Sequence, residues 1–417
     1  MLGSVQSTLW SLVLLVCVAQ ALPWELEYRL TAVKERLADL FKPYPGPSEV
    51  SLPPEFDSRP ELFKLHRDIV SVESESFKEQ KGSAFLRKYL QSKGLTVEYI
   101  DVRGGRQNVY AYLGNAKNTS VLLTSHIDTV PPFFKYSARK EDDGIKIYGR
   151  GTADAKGSIA SQIVAFEELL QEGTIGEGDV SLLYVVGEEA GGEGMIAANT
   201  SFVESNVNWD AVIFGEPTTN ALAVGHKGIY TFRIHVYGKA SHSAYPELGV
   251  DANKVLIEIL HSFEHAEWPG SKMLGDTTIN IGLFDAHNAA NVVSPYAAAS
   301  VLIRVASTTK EVSKLVSDIV DKYKEQALRV EIDTIHAVEP TYLDYDVPGF
   351  NSSFLSCYTD VPSLGERGFK RYLYGPGSIH DAHGATEYVS LQSLTQAVDD
   401  YKKLILHALG KVEEDKE

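Results

Sequence analysis

The chain has 417 residues, more than one hydrophobic core comfortably holds, so two domains are the starting expectation. Its 56 acidic against 39 basic side chains give a formal charge of −17, which repels nucleic acid and anionic membrane surfaces and excludes a nucleic-acid-binding role. Of the two cysteines, Cys17 lies in the N-terminal leader and Cys357 stands alone, so a mature chain forms no internal disulfide and must be held by its core or by bound metal.

In chain order, the opening MLGSVQSTLWSLVLLVCVAQALP carries no charged side chain, has an apolar centre from Leu9 to Val18, and ends in the small-residue site Ala19-Gln20-Ala21. It reads as a secretory signal peptide over residues 1–21, its apolar run being shorter than the roughly 20 residues a membrane span needs. A soluble, secreted, extracellular protein is expected. Sequons at Asn118, Asn199 and Asn351 fit a glycoprotein. Residues 22–60 hold Leu26, Leu30, Val33, Leu37 and Leu40 at helical spacing, then the proline-rich FKPYPGPSEVSLPPEF. They form either a docking helix or a propeptide.

From 61 to 225, amphipathic stretches (KGSAFLRKYLQSKG, SIASQIVAFEELLQEG) alternate with short apolar ones (SVLLTSHI, DVSLLYVVG, DAVIFG). That alternation predicts an α/β catalytic domain, a sheet flanked by helices. Over 226–340 the texture changes to βαββαβ, the order of a small ferredoxin-like α+β domain. It is expected as an insertion, because RYLYGPG and a closing helix from Val389 to Leu409 resume the first texture within 341–417.

The chemistry-bearing residues fall where strands end. LLTSHIDTVPP places His126 and Asp128 two residues apart, on one face of a strand, where open α/β sheets gather ligands. Asp154 sits in the glycine-flanked turn GRGTADAKGS; this is not a phosphate loop, because Lys156 precedes Gly157 and no Gly-Lys-Ser/Thr order exists. Glu188 and Glu189 are adjacent carboxylates whose side chains must diverge, so they can take two jobs. Glu216 ends the next strand, and SIHDAH supplies His380 and His383 before the last helix. Taken singly, each is an ordinary turn or cap residue. Together they form a nitrogen and oxygen donor set without sulfur, suited to Zn²⁺, in which one carboxylate can bridge two ions about 3.5 to 4 Å apart. Two dications against three carboxylates and a bridging hydroxide leave such a site near neutral.

The motifs SHIDTVP, GRGTADAKG, GEEAGGEG, FGEPT, GKASHSAYPELGVDA, NVVSP and AHGATEYV resemble the co-catalytic zinc exopeptidases and amidohydrolases, the family of glutamate carboxypeptidase, aminoacylase, acetylornithine deacetylase and succinyl-diaminopimelate desuccinylase. The resemblance covers nearly the whole mature chain. It implies two Zn²⁺ per subunit, one held by His126, Asp154 and Glu216, the other by Asp154, Glu189 and His383. It further implies that Asp128 orients His126 by accepting a hydrogen bond from its other ring nitrogen, that Glu188 is the proton-transferring base, and that the Asp154-Ala155 peptide is cis. His242, Asn291 and Arg304 match substrate-binding positions, His242 polarising the scissile carbonyl in some relatives across a homodimer interface in the inserted lid domain. Without the resemblance these three would read as a strand-edge histidine, a turn asparagine and a surface arginine.

The function this implies is a secreted metallopeptidase cutting an amide bond beside a free C-terminal carboxylate, a carboxypeptidase. The alternative within the class is an N-acyl-amino-acid amidohydrolase with the same metal site. A catalytically dead binding module is the reading from another class, and the intact donor set weighs against it.

Overall fold

The computed structural model describes residues 59–286 and 288–411. The expected signal peptide, nearly all of the 22–60 segment and Cys17 lie outside the described residues. Helix α1 (Pro60–Val70) opens on proline, whose fixed φ suits a first helical turn, and buries Leu62, Phe63, Leu65, Ile69 and Val70. Helix α2 (Gln80–Ser92) follows. A hairpin, β1 (Thr96–Val102) and β2 (Arg106–Tyr112), turns through Gly104 and Gly105, both at positive φ.

Next come β3 (Val121–His126), the pair β4 (Ser137–Glu141) and β5 (Gly144–Tyr148), α3 (Lys156–Gln171), β6 (Val180–Val185), α4 (Glu193–Glu204) and β7 (Ala211–Gly215). After β8 (Leu222–His226) the chain enters β9 (Gly228–Tyr237), α5 (Ala252–Glu264), β10 (Thr278–Asp285), β11 (Tyr296–Val305), α6 (Thr309–Asp321) and β12 (Arg329–Val338). It returns through β13 (Thr341–Tyr342), β14 (Ser352–Leu355), β15 (Lys370–Tyr374), β16 (Tyr388–Ser390) and α7 (Leu391–Ala408).

The main sheet has the order β1-β2-β6-β3-β7-β15. Strands β6, β3, β7 and β15 run parallel, and the β1-β2 hairpin adds an antiparallel edge. Every residue of β3, β6 and β7 is buried, which explains their unbroken apolar runs. Alternation splits each strand between two cores. Val121 and Leu123 join the layer under α3 and α7, whereas Leu122 joins the layer with Met195, Ala198 and Phe202 of α4. Each such fully buried aliphatic side chain contributes about 1.5–3 kcal/mol. Because β6 lies on one side of β3 and β7 on the other, the chain crosses over at β3 and opens a crevice at the carboxyl ends of these strands.

Residues 228–338 form a second sheet, ordered β10-β11-β9-β12 and wholly antiparallel, the strand order of a ferredoxin-like unit. Helices α5 and α6 cover one face, where Phe232, Ile234, Val301 and Ile303 meet Leu256, Ile259, Val316 and Ile319 in a core of their own. The other face of β9 is only half-buried, hence its strict alternation. The chain leaves and returns as neighbours, since β8 pairs with β13 through His226 and Thr341.

The α4 start is pinned sterically. A Cβ on Gly194 would stand 2.1 Å from the Val186 carbonyl oxygen and 2.8 Å from Asn108 Oδ1. Gly194→Ala should therefore lower stability by about 1–3 kcal/mol, although alanine in a helix is otherwise the better residue. A urea midpoint equal to or above wild type would show that the loop before α4 is not packed this tightly.

Candidate metal centre

His126 ends β3, and its Nε2 stands 3.0 Å from Asp154 Oδ1 and 3.8 Å from Glu216 Oε1. Across the same aspartate, His383 Nε2 lies 3.2 Å from Asp154 Oδ2 and 2.9 Å from Glu189 Oε2. Two donor groups result, His126–Asp154–Glu216 and Asp154–Glu189–His383, with the ligand atoms of each within 4.8 Å of one another. Asp154 belongs to both and presents a different oxygen to each histidine, the disposition of a bridging carboxylate. The five residues assigned to metal from the sequence are the five brought together here. His126, Asp154 and Glu216 are buried, whereas His383 is 52% exposed in its side chain and leaves one side of the cluster open to solvent.

More negative than positive groups converge. Burial raises the pKa of Glu188 and Glu216 well above the carboxylate range, and neighbouring acids add to it; Glu189 moves the same way for the same reason. Asp360, 6% exposed and near His126 and Asp128, is pushed by burial to about 7, and its Oδ2 has no hydrogen-bond partner. Burial opposes ionisation of Asp154, but bonds to both histidines win and hold it below its usual range. Burial likewise opposes charge on His126, but Asp154, Glu216 and Glu188 outweigh it and raise its pKa. The bonds from His383 to Asp154 and Glu189 raise that histidine to about 10. A nitrogen and oxygen donor set with surplus carboxylate and one shared aspartate fits two divalent cations.

Side chains behind the ligands fix their loops. One Glu387 oxygen accepts the backbone N–H groups of Gly151, Ala153 and Asp154 at 3.0, 3.1 and 3.1 Å, and the other accepts Arg150 Nη1 at 2.8 Å. The acid four residues after His383 thus shapes the turn that carries Asp154. The Asp154-Ala155 peptide is cis. Lys156, buried at the start of α3, donates to the carbonyls of Ile69 and Val72 at the end of α1. These residues escape a motif reading because burial, not residue type, gives them their part.

Asp128 differs from expectation. The atom facing His126 Nδ1 at 2.9 Å is the Asp128 backbone carbonyl oxygen, whereas its carboxylate Oδ1 is 3.7 Å away. That carboxylate instead accepts the N–H groups of Glu188 and Glu189 at 3.0 and 3.3 Å, and the Ser76 hydroxyl at 2.9 Å. Its side chain aims the paired glutamates and its main chain aims the histidine. Glu189 turns to His383, while the hydrogen bonds of the cluster leave the Glu188 carboxylate outside them. His380 is exposed and does not join the cluster.

His242 and Asn291 are exposed and lie side by side: the Ser243 N–H donates to the Asn291 carbonyl at 2.9 Å, and His242 Nδ1 accepts from Ala244 N–H. Neither is part of the carboxylate and histidine cluster. Arg304 is half-buried on the open face of the second sheet, opposite Ile229. Among the sequons, Asn118 and Asn351 are exposed in loops, but Asn199 lies half-buried on α4 against Gly365.

The chain matches Peptidase family M20/M25/M40 over residues 122–407, and it belongs to that family. It is 45% identical over 351 residues to a Peptidase M20 domain-containing protein of Schizosaccharomyces pombe, covering 84% of this chain and 85% of that one. A protein of Emericella nidulans named as a probable carboxypeptidase is 41% identical over 395 residues, covering 85% of this chain and 91% of that one. Among solved structures, a dinuclear metal binding peptidase of the M20 family from Bacillus subtilis superposes with a TM-score of 0.61 at 16% identity, over 86% of this chain and 99% of that one. The fold is that of the M20 peptidases.

Ligation needs neutral imidazole and ionised carboxylate, whereas the neighbouring acids raise His383 to about 10, so that it holds a proton at neutral pH, and burial raises the proton affinity of Glu188 and Glu216. Metal must expel those protons, so its affinity should rise as pH rises through neutrality. Calorimetric titration of metal-free protein at pH 7 in buffers of different ionisation enthalpy should show about one or more protons released per protein. Release of none would contradict the clustering of charges described.

Proposed function

We propose that this chain is a secreted carboxypeptidase using two zinc ions, which removes the C-terminal residue of peptides. The observation that carries the reading is the division within Glu188-Glu189: one carboxylate turns to His383 among the metal donors, and the other stands free of them beside the same cluster. The name of the Emericella relative and the dinuclear site named for the Bacillus peptidase support the activity and the metal count. Secretion is supported by the N-terminal leader sequence alone.

Bound zinc would supply Lewis-acid polarisation of the scissile carbonyl and acidify a water. Glu188 takes the proton of the attacking water, its raised proton affinity suiting it to hold that proton and return it to the leaving amine. Asp128 keeps this carboxylate aimed through the Glu188 backbone N–H. Arg304, without an ion-pair partner among the described residues, offers its planar fork to the terminal carboxylate. His242 and Asn291 enter the site through movement of the second sheet or from another copy in a homodimer.

Zinc-loaded protein incubated with free-acid peptides, their C-terminal amides and N-acyl amino acids, read by mass spectrometry, should show loss of C-terminal residues from the acids. Release of acyl groups alone would make it an amidohydrolase, and no turnover would favour a binding module. Glu188→Gln should keep both metals and lose about 10² to 10⁴ in turnover, whereas Glu189→Gln should lose metal; metal content in the opposite order would reverse the assignment. Arg304→Met should cost roughly 10 to 150-fold in kcat/KM on free acids, the worth of one charge-assisted contact. Full activity of that variant on acids would remove Arg304 from the site.

A further inference from the structure

The second sheet joins the three-stranded sheet β13-β8-β14 beside a pair of cations. Lys227 joins β8 to β9 and is 4% exposed, yet no carboxylate lies within ion-pair distance of it among the described residues. Its ammonium donates to the backbone carbonyl of Asp276 and sits 5.7 Å from the centre of the Phe354 ring. An ammonium has three N–H donors, and a single carbonyl leaves it undersupplied in a place where water is scarce. Asp276 itself is exposed and offsets the charge only through the field of its carboxylate.

Arg304 is the second cation. Arg304 stands opposite Ile229 on one side and Thr278 on the other, and the Asp276 carbonyl that takes the Lys227 ammonium lies two residues before Thr278. The two charges feel each other: burial lowers the Lys227 pKa, and the nearby Arg304 lowers it further despite Asp276. A buried and a half-buried cation near each other, neither in an ion pair among the described residues, make a site that an anion would relieve.

Lys227 is also tied to the segment that leads to Cys357. The Lys227 N–H donates to the Leu355 carbonyl at 3.1 Å, so Lys227 is fixed to the end of β14, two residues from Cys357. Burial raises the Cys357 pKa, and Glu216, Asp154 and Glu188 add to the rise while Arg304 opposes it, so both groups of charges are felt at this residue. Phe354, 41% exposed, supplies an apolar surface beside the cations.

We propose that Lys227 is a second cation of the substrate-carboxylate site, acting beside Arg304 in recognising the free C-terminus. Arg304 grips the carboxylate with its fork and Lys227 adds a point charge to one oxygen, using donors that the Asp276 carbonyl leaves unfilled. The inference rests on the carboxypeptidase reading and extends it to a residue outside its motifs.

The test measures kcat and KM of the zinc-loaded enzyme on one peptide as free acid and as C-terminal amide, for wild type, Lys227→Met, Lys227→Gln and Lys227→Arg. Wild type should prefer the acid. Lys227→Met should cut the acid-to-amide ratio of kcat/KM about tenfold, chiefly through KM on the acid, and Lys227→Arg should restore most of it. Lys227→Gln, which keeps a donor for the Asp276 carbonyl, should show the same loss of ratio, so a folding defect confined to the Met variant leaves the comparison intact. An undiminished ratio in Lys227→Gln, or equal losses on acid and amide, would overturn the inference while leaving the carboxypeptidase reading standing. Equal wild-type rates on acid and amide would overturn both.

Discussion

The structure depends on forcing like charges together. Asp154, Glu188, Glu189, Glu216 and Asp360 surround two histidines at the carboxyl ends of β3, β6 and β7, where burial and mutual repulsion raise the proton affinity of four of the five acids. A protein does not gain stability from such a cluster by itself, since each desolvated carboxylate costs free energy unless paired. The surrounding fold must hold the acids in place, and divalent cations at Asp154 would turn the repulsion into attraction.

The restraint comes from two levels of structure. The parallel strands are buried on both faces, so the positions at which they end are set by the cores and not by the site. Behind them, single carboxylates organise backbone. Glu387 gathers three N–H groups of the Asp154 turn and an arginine, and Asp128 gathers the N–H groups of both glutamates. These acids differ from the ligands in having their lone pairs satisfied by the main chain, which keeps them out of competition for metal. The ferredoxin-like unit has its own core and leaves the chain at the paired residues His226 and Thr341, next to Lys227. The proposed carboxylate site and the candidate metal donors therefore stand on different sheets, and the Lys227 N–H ties the first to Leu355 at the end of β14.

Much of this was legible in the sequence because chemistry and periodicity coincide there. Unbroken apolar runs ending in His126, Glu188 and Glu216 announce buried parallel strands with functional ends, and alternation in IYTFRIHVYGKA announces a sheet with one covered face. The βαββαβ order gave the second unit its topology. The hairpin β4-β5 and its partner β16 are not legible in the sequence, since SARKE and GIKIY are too polar and short to stand out and β5 pairs with a strand some 240 residues later. The part of Asp128 is implied by the resemblance, and a motif cannot distinguish the carboxylate from the carbonyl of the same residue as the acceptor for His126. Glu387, Asp360 and Lys227 carry no local signal, because what singles them out is depth and the company of residues far along the chain.

The shared position of Asp154 is the point on which the site turns, and it can be seen directly. Crystals of the protein grown with zinc, measured on either side of the zinc absorption edge, should give two anomalous peaks per chain, about 3.5 to 4 Å apart, with one Asp154 oxygen on each. A single peak, or two peaks of which one lies away from Asp154, would contradict a carboxylate bridging His126 and His383 through metal.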